Sequence, residues 1–255
     1  MKILAVGLFM FGALFSSPPD RVVERLKAPD GYHIVPAKTG FGAWLGNLPL
    51  KPGGTHTKNY RGEIARTDAY TAGVVDMSVG KQDLQQCADA VIRLRAEYLY
   101  HQKQFDAISF NFTSGFKCDY THYANGYRYA NNRWVLKAGK DYSYPTFLNY
   151  LNLVFSYAGT LSLEKELEKV NSLAEMKTGD VFIHGGSPGH CFIILAVSEN
   201  AAHQQRFLLA QSFMPAQDIQ VLKSQNGDAW FSLSEPANIP YGELVNLKYL
   251  RRFKN

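Results

Sequence analysis

The chain holds only three cysteines among 255 residues, Cys87, Cys118 and Cys191. That excludes a disulfide-stapled scaffold and a four-cysteine zinc site, and the odd count leaves at least one thiol unpaired within the chain. Charge is sparse as well. Charged residues make up 19% against 46% apolar residues, a balance that excludes a disordered chain and predicts a packed core. The net charge of +5 is spread out, and the one dense basic run, Lys248 to Lys254, lies near the C-terminus. No interleaved basic and aromatic surface of the kind that holds nucleic acid is therefore expected. The seven histidines are scattered, at 33, 56, 101, 122, 184, 190 and 203. Only His184 and His190 are close, and two further ligands at usable spacing are missing, so neither a metal nor another cofactor is expected. Internal repeats and linker-like stretches are lacking too, which predicts one α+β domain with an N-terminal arm.

What is present starts at the N-terminus. Met1-Lys2 precedes an apolar run, residues 3–15, and then Ser16-Ser17-Pro18-Pro19. A lysine, a short apolar run and a small-residue break read as an export signal over residues 1–17, leaving 18–255 as the mature domain. The run falls short of the ~18 apolar residues of a membrane span. The expectation is an exported protein, periplasmic or extracellular, with no stable membrane insertion after signal removal. A free thiol in that oxidising compartment must be buried or used.

The richest stretch is Gly179-Asp180-Val181-Phe182-Ile183-His184-Gly185-Gly186-Ser187-Pro188-Gly189-His190-Cys191-Phe192-Ile193-Ile194. It reads as an apolar strand, a Gly/Ser/Pro loop and a second apolar strand, with His190 where loop becomes strand. A ring held there from below and open above suits a general base. Upstream, Leu84, Cys87, Ala88, Val91, Leu94, Arg95, Tyr98 and Leu99 recur at helical spacing. Asp83 fits the N-cap, with Gln86 at the capping-box position. Cys87 then falls in or near the first turn, where free amides and the helix dipole favour a thiolate. On the same stripe it also reads as a small buried residue.

A third polar residue follows from pairing. If the strands over 192–197 and 207–210 form a hairpin centred near Asn200 and Ala201, His190 stands opposite Gln211. Gln211 would accept a hydrogen bond from one ring nitrogen and orient the other toward a thiol. Cys191 should face the other way, into the core. Elsewhere, short helices are expected over 41–47 and from Ser143 to Tyr157, with a further helix capped by Ser162. Strands are expected over 74–77 and 108–113. The 15 tyrosines fit either a peptide- or glycan-lined cleft or ordinary half-buried sheet faces.

Cysteine on a helix N-terminus, then histidine at a strand start, then a polar residue on the next strand resembles the NlpC-like members of the papain-fold cysteine hydrolases. Gln86-Cys87-Ala88-Asp89 stands where that family usually has Asp-Cys-Ser-Gly. The resemblance implies a helix carrying the cysteine packed on an antiparallel sheet carrying histidine and the third residue. Longer strings, WLGNLPLK, QQCADAVIRLRAEYLY, GDVFIHGGSPGH and LLAQSFMPAQDI, resemble an exported bacterial family, domain of unknown function 4846, which implies no activity of its own.

These residues predict a thiol hydrolase, with Cys87 as nucleophile, His190 as base and then acid, and Gln211 as orienting group. Helix amides with Gln82 or Gln86 would form the oxyanion site, supported by Ser187 and Gly189 in the histidine loop. Export and the resemblance point to an envelope amide such as a peptidoglycan stem peptide. The alternative is a non-catalytic protein that binds a peptide or glycan in a papain-like cleft.

Overall fold

The computed structural model describes residues 20–37 and 40–254; the expected export signal, residues 1–17, lies outside them. Nine strands form one sheet: β1 (Tyr32–Ile34), β2 (Thr71–Val74), β3 (Glu168–Lys169), β4 (Val181–His184), β5 (His190–Asn200), β6 (Gln205–Gln211), β7 (Gln220–Leu222), β8 (Trp230–Phe231) and β9 (Leu250–Arg252). The order is β2-β7-β6-β5-β4-β9-β3, with β1 added to β5 and β8 to β6. Every pairing is antiparallel. The helices that position the site are α1 (Gly40–Gly46), α2 (Cys87–His101), α3 (Tyr144–Tyr157) and α4 (Thr160–Glu166). The fold is α+β, as expected. Among the described residues no helix is long and apolar enough to cross a membrane.

The central strand explains the layering. β5 is apolar from Cys191 to Val197, so both of its faces must be covered. Cys191, Ile193 and Leu195, with Leu208 and Ala210 of β6, join the core under α2. Phe192 and Ile194, with Phe182, Phe207 and Leu209, face a second core closed by Ile239, Leu244 and Leu250 of the C-terminal segment. Phe192 is fully buried there. Phe192→Ala should therefore cost about 3–5 kcal/mol, read by denaturant unfolding. A loss under about 1 kcal/mol would mean that this second layer contributes little.

The hairpin register differs from the expected one. Arg206 pairs with Ser198 and Leu208 with Ala196, but Leu209 pairs with Ile194. The bulge leaves Leu195 extra, and Leu195 and Ala196 both belong to the α2-side core. Without it, Gln211 would fall opposite Ile193, on the face away from His190. With it, Gln211 continues past Ala210–Ile193 on the same face as Phe192 and His190. The expected side is reached, by a different register.

Helix starts also shift. Asp83 does not cap α2; its Oδ1 accepts the amide of Ala216 at 2.7 Å and Gln86 Nε2 at 3.2 Å. Gln86 is the N-cap, and Asp89 accepts its amide at 3.0 Å. This makes Cys87 the first residue of the helix. Ser162 does not cap α4, which begins at Thr160; its hydroxyl accepts the Gly159 amide at 3.1 Å. Ser143 does cap α3, accepting the Thr146 amide at 3.5 Å. The strand expected over 74–77 is β2, three residues earlier at its start, and that over 108–113 shrinks to Ser109–Asn111.

Candidate active site

Cys87, His190 and Gln211 come to one end of the sheet. The start of α2 lies beside the start of β5, and the Cys87 thiol donates a long hydrogen bond, 4.0 Å, to the Gly189 carbonyl. His190 leaves β5 on the face of Phe192, and its Nε2 donates to Gln211 Oε1 at 2.7 Å. Its Nδ1 is buried and has no hydrogen bond. The imidazole thus has one nitrogen fixed and the other uncommitted.

The histidine is held from every side. Tyr241 stacks on it, with ring centroids 4.6 Å apart and planes at 19°. Phe192 lies edge-on at 4.8 Å and Phe213 tilted at 5.3 Å. The ring is 0% exposed and Cys87 is 8% exposed, so the imidazole is not open to solvent from above as expected.

Electrostatics set the thiol. Cys87 is lowered to about 5, the largest cause being the hydrogen bond from the Cys191 thiol. Burial opposes this, while the nearby His190 ring and the Ala88 amide add to the lowering. Cys191 itself is pushed well above the ordinary thiol range by burial and by Cys87, so it stays the proton donor of the pair. Burial also pushes Asp89 well above the usual carboxylate range, with the Cys87 charge adding to it. All three cysteines are free and buried.

Cys191 was expected in the core, and there it lies. Sequence alone does not show that its core is the one under α2, so that its thiol meets Cys87. Two further contributors escape sequence reading. Gln220 Oε1 accepts from Gln211 Nε2 at 3.3 Å, from Gln217 Nε2 at 2.7 Å and from Thr67 at 2.6 Å. This buried amide network fixes which end of Gln211 faces the histidine. The readable signal was glutamine recurring at 211, 217 and 220 among apolar neighbours. Tyr241 carried no signal beyond its abundance class.

The expected supporting residues divide. Gly189 is beside the sulfur, and only glycine fits: a Cβ there would lie 2.3 Å from Thr160 Oγ1 and 2.7 Å from the Gly186 carbonyl. Gly189→Ala should force the loop to move, costing about 1–3 kcal/mol and slowing thiol-specific labelling of Cys87. Unfolding and labelling identical to wild type would show that the loop yields freely. Ser187 is exposed on the loop, before the cis bond to Pro188. Gln86 is tied into the helix cap. Gln82 is exposed on the wall of a separate pocket that does not include Cys87. The donor placed at the sulfur is the Ala88 amide, not either glutamine. Among the described residues no three His, Cys, Asp or Glu side chains cluster to hold a metal ion.

The chain matches no curated protein and no solved structure. Residues 22–245, however, match the family described as domain of unknown function 4846, and the chain belongs to that family.

Proposed function

We propose that this protein is a thiol hydrolase acting on an amide bond, with a papain-like division of labour among Cys87, His190 and Gln211. The observation that carries the reading is the state of the two reacting groups. The Cys87 thiol is lowered to about 5 at a helix start, and the adjacent imidazole keeps Nδ1 uncommitted while Nε2 is locked to Gln211. Cys87 Sγ would attack the amide carbonyl carbon, with its proton on His190 Nδ1. The Ala88 amide would hold the oxyanion. Collapse breaks the C–N bond, Nδ1 passes its proton to the leaving amine, and a thioester remains. Water then attacks the thioester and gives a proton to Nδ1, and the thiolate leaves. Amide and water become acid and amine.

The export signal expected over residues 1–17 would put the substrate in the cell envelope, and the proposed class is a peptidoglycan stem peptide. The test is incubation of purified protein with peptidoglycan-derived peptides and chromatographic detection of newly released amines. Amine release that persists in Cys87→Ser removes Cys87 from the chemistry. One observation favours a second reading, a non-catalytic peptide- or glycan-binding protein: His190 is fully buried beneath Tyr241. Binding of the same peptides without cleavage, unchanged in Cys87→Ser, would select it.

A further inference from the structure

A pocket of about 470 Å³ opens between α2, α3 and residues 75–85. Its floor is charged and buried. Arg93 Nε lies 2.6 Å from Glu97 Oε1, with side chains 8% and 1% exposed. Arg93 also donates to Gln85 Oε1 and to the Tyr144 hydroxyl, each at 3.3 Å, and Tyr144 donates to Glu97 Oε1 at 2.7 Å. Two polar atoms are left without a hydrogen bond, Gln85 Nε2 and Glu97 Oε2. Nε2 of the exposed His101 ring lies 3.6 Å from that oxygen. Buried polar atoms are nearly always paired, and two unpaired ones flanking the same guanidinium on a cavity wall call for a partner that enters the cavity.

The chemistry of the partner follows from the wall. The Arg93–Glu97 pair cancels its own charge, and Asp76 and Lys81 on the wall are of opposite sign, so no net charge is left to select an ion. One orphan is a donor and the other an acceptor, a demand that neighbouring hydroxyls meet together. The remaining wall offers Asn47, Gln82 and Asn152, which both donate and accept, beside the aromatic surface of Trp44 and Tyr144. Planar polar groups around an aromatic patch match a ring that is apolar on its faces and hydroxylated around its edge. We propose that this pocket binds a neutral saccharide, one hydroxyl donating to Glu97 Oε2 and another accepting from Gln85 Nε2. The inference does not rest on hydrolysis, since none of the polar atoms invoked belongs to Cys87, His190 or Gln211.

The test is calorimetric titration of the full-length Cys87→Ser protein, which removes turnover, with N-acetylglucosamine oligomers, cellotriose and maltotriose. A sugar-free stem peptide serves as control. Saturable binding of at least one saccharide is expected. Gln85→Met, close in shape, should weaken it at least tenfold and cost some stability, because Arg93 loses the Gln85 Oε1 acceptor along with the unpaired donor. Gln82→Ala, on the exposed rim, cannot disturb the core and should weaken binding severalfold. No binding of any saccharide, or binding unaffected by both substitutions, overturns the proposal. Tighter binding of the peptide than of every saccharide, abolished by Gln85→Met, assigns the pocket to peptide and overturns it equally. A loss of amide cleavage in any variant leaves this result untouched, so the two readings fail separately.

Discussion

Replacing Cys87 with serine should lower amide turnover by about 10⁴-fold or more while leaving the unfolding midpoint near that of wild type. The two side chains differ little in volume, so the fold loses no packing. What is lost is the nucleophile: a thiol lowered to about 5 becomes a hydroxyl that the same environment does not ionise. His190→Ala should cost a similar factor, and the double variant little more than either alone, because nucleophile and base act as one unit. Gln211→Ala should cost less, about 10–10²-fold, since it orients the ring and moves no proton. Its partner Gln220 gives a sharper check on the orienting role. Gln220→Met removes the acceptor that fixes the Gln211 amide and should slow turnover without changing KM. Equal losses in Gln211→Ala and Cys87→Ser would contradict this ordering and give Gln211 a direct part in the chemistry.

That hierarchy rests on residues of unequal legibility. His190 and Cys87 stood out because local patterns place them: a Gly-rich loop entering an apolar strand, and a helical stripe with a polar entry. A symmetric hairpin predicts Gln211 opposite His190, whereas the strands pair in a different register. The bulge at Leu195 restores the face, and no pattern in an all-apolar strand announces where an extra residue will sit. The helix caps depart from expectation for a related reason. Asp83 has the right chemistry for an N-cap, but the Ala216 amide, 133 residues away in sequence, takes its carboxylate. Long-range competition of this kind decides among Asp83, Gln86 and Asp89, and propensity does not record it. The two-faced core was legible only in part: unbroken hydrophobicity in β5 demands two covers, yet nothing local says that residues 237–250 supply the second.

Thiol reactivity gives the largest contrast available without a known substrate. Cys87 should alkylate more than about 100-fold faster than Cys118 and Cys191 at pH 6.5, since burial raises both of those thiols. The absolute rate will not look exceptional. At that pH a thiol titrating at about 5 is nearly all thiolate, and an ordinary one near 8.5 only about 1%. Lower basicity takes back most of that ~100-fold gain, because nucleophilicity falls with a slope of about 0.4–0.5 per pKa unit. The shape of the pH profile is therefore the decisive readout. Iodoacetamide labelling followed by mass spectrometry from pH 4 to 9 should give a Cys87 rate that is flat above about pH 6 and falls below it. Removing either neighbour, by Cys191→Ala or His190→Ala, should move this midpoint upward, since each lowers the Cys87 thiol. A thiol that depended on histidine alone would keep its midpoint in Cys191→Ala. A rate still climbing at pH 9 in the wild type would make Cys87 an ordinary core cysteine, and the nucleophile would have to be sought elsewhere.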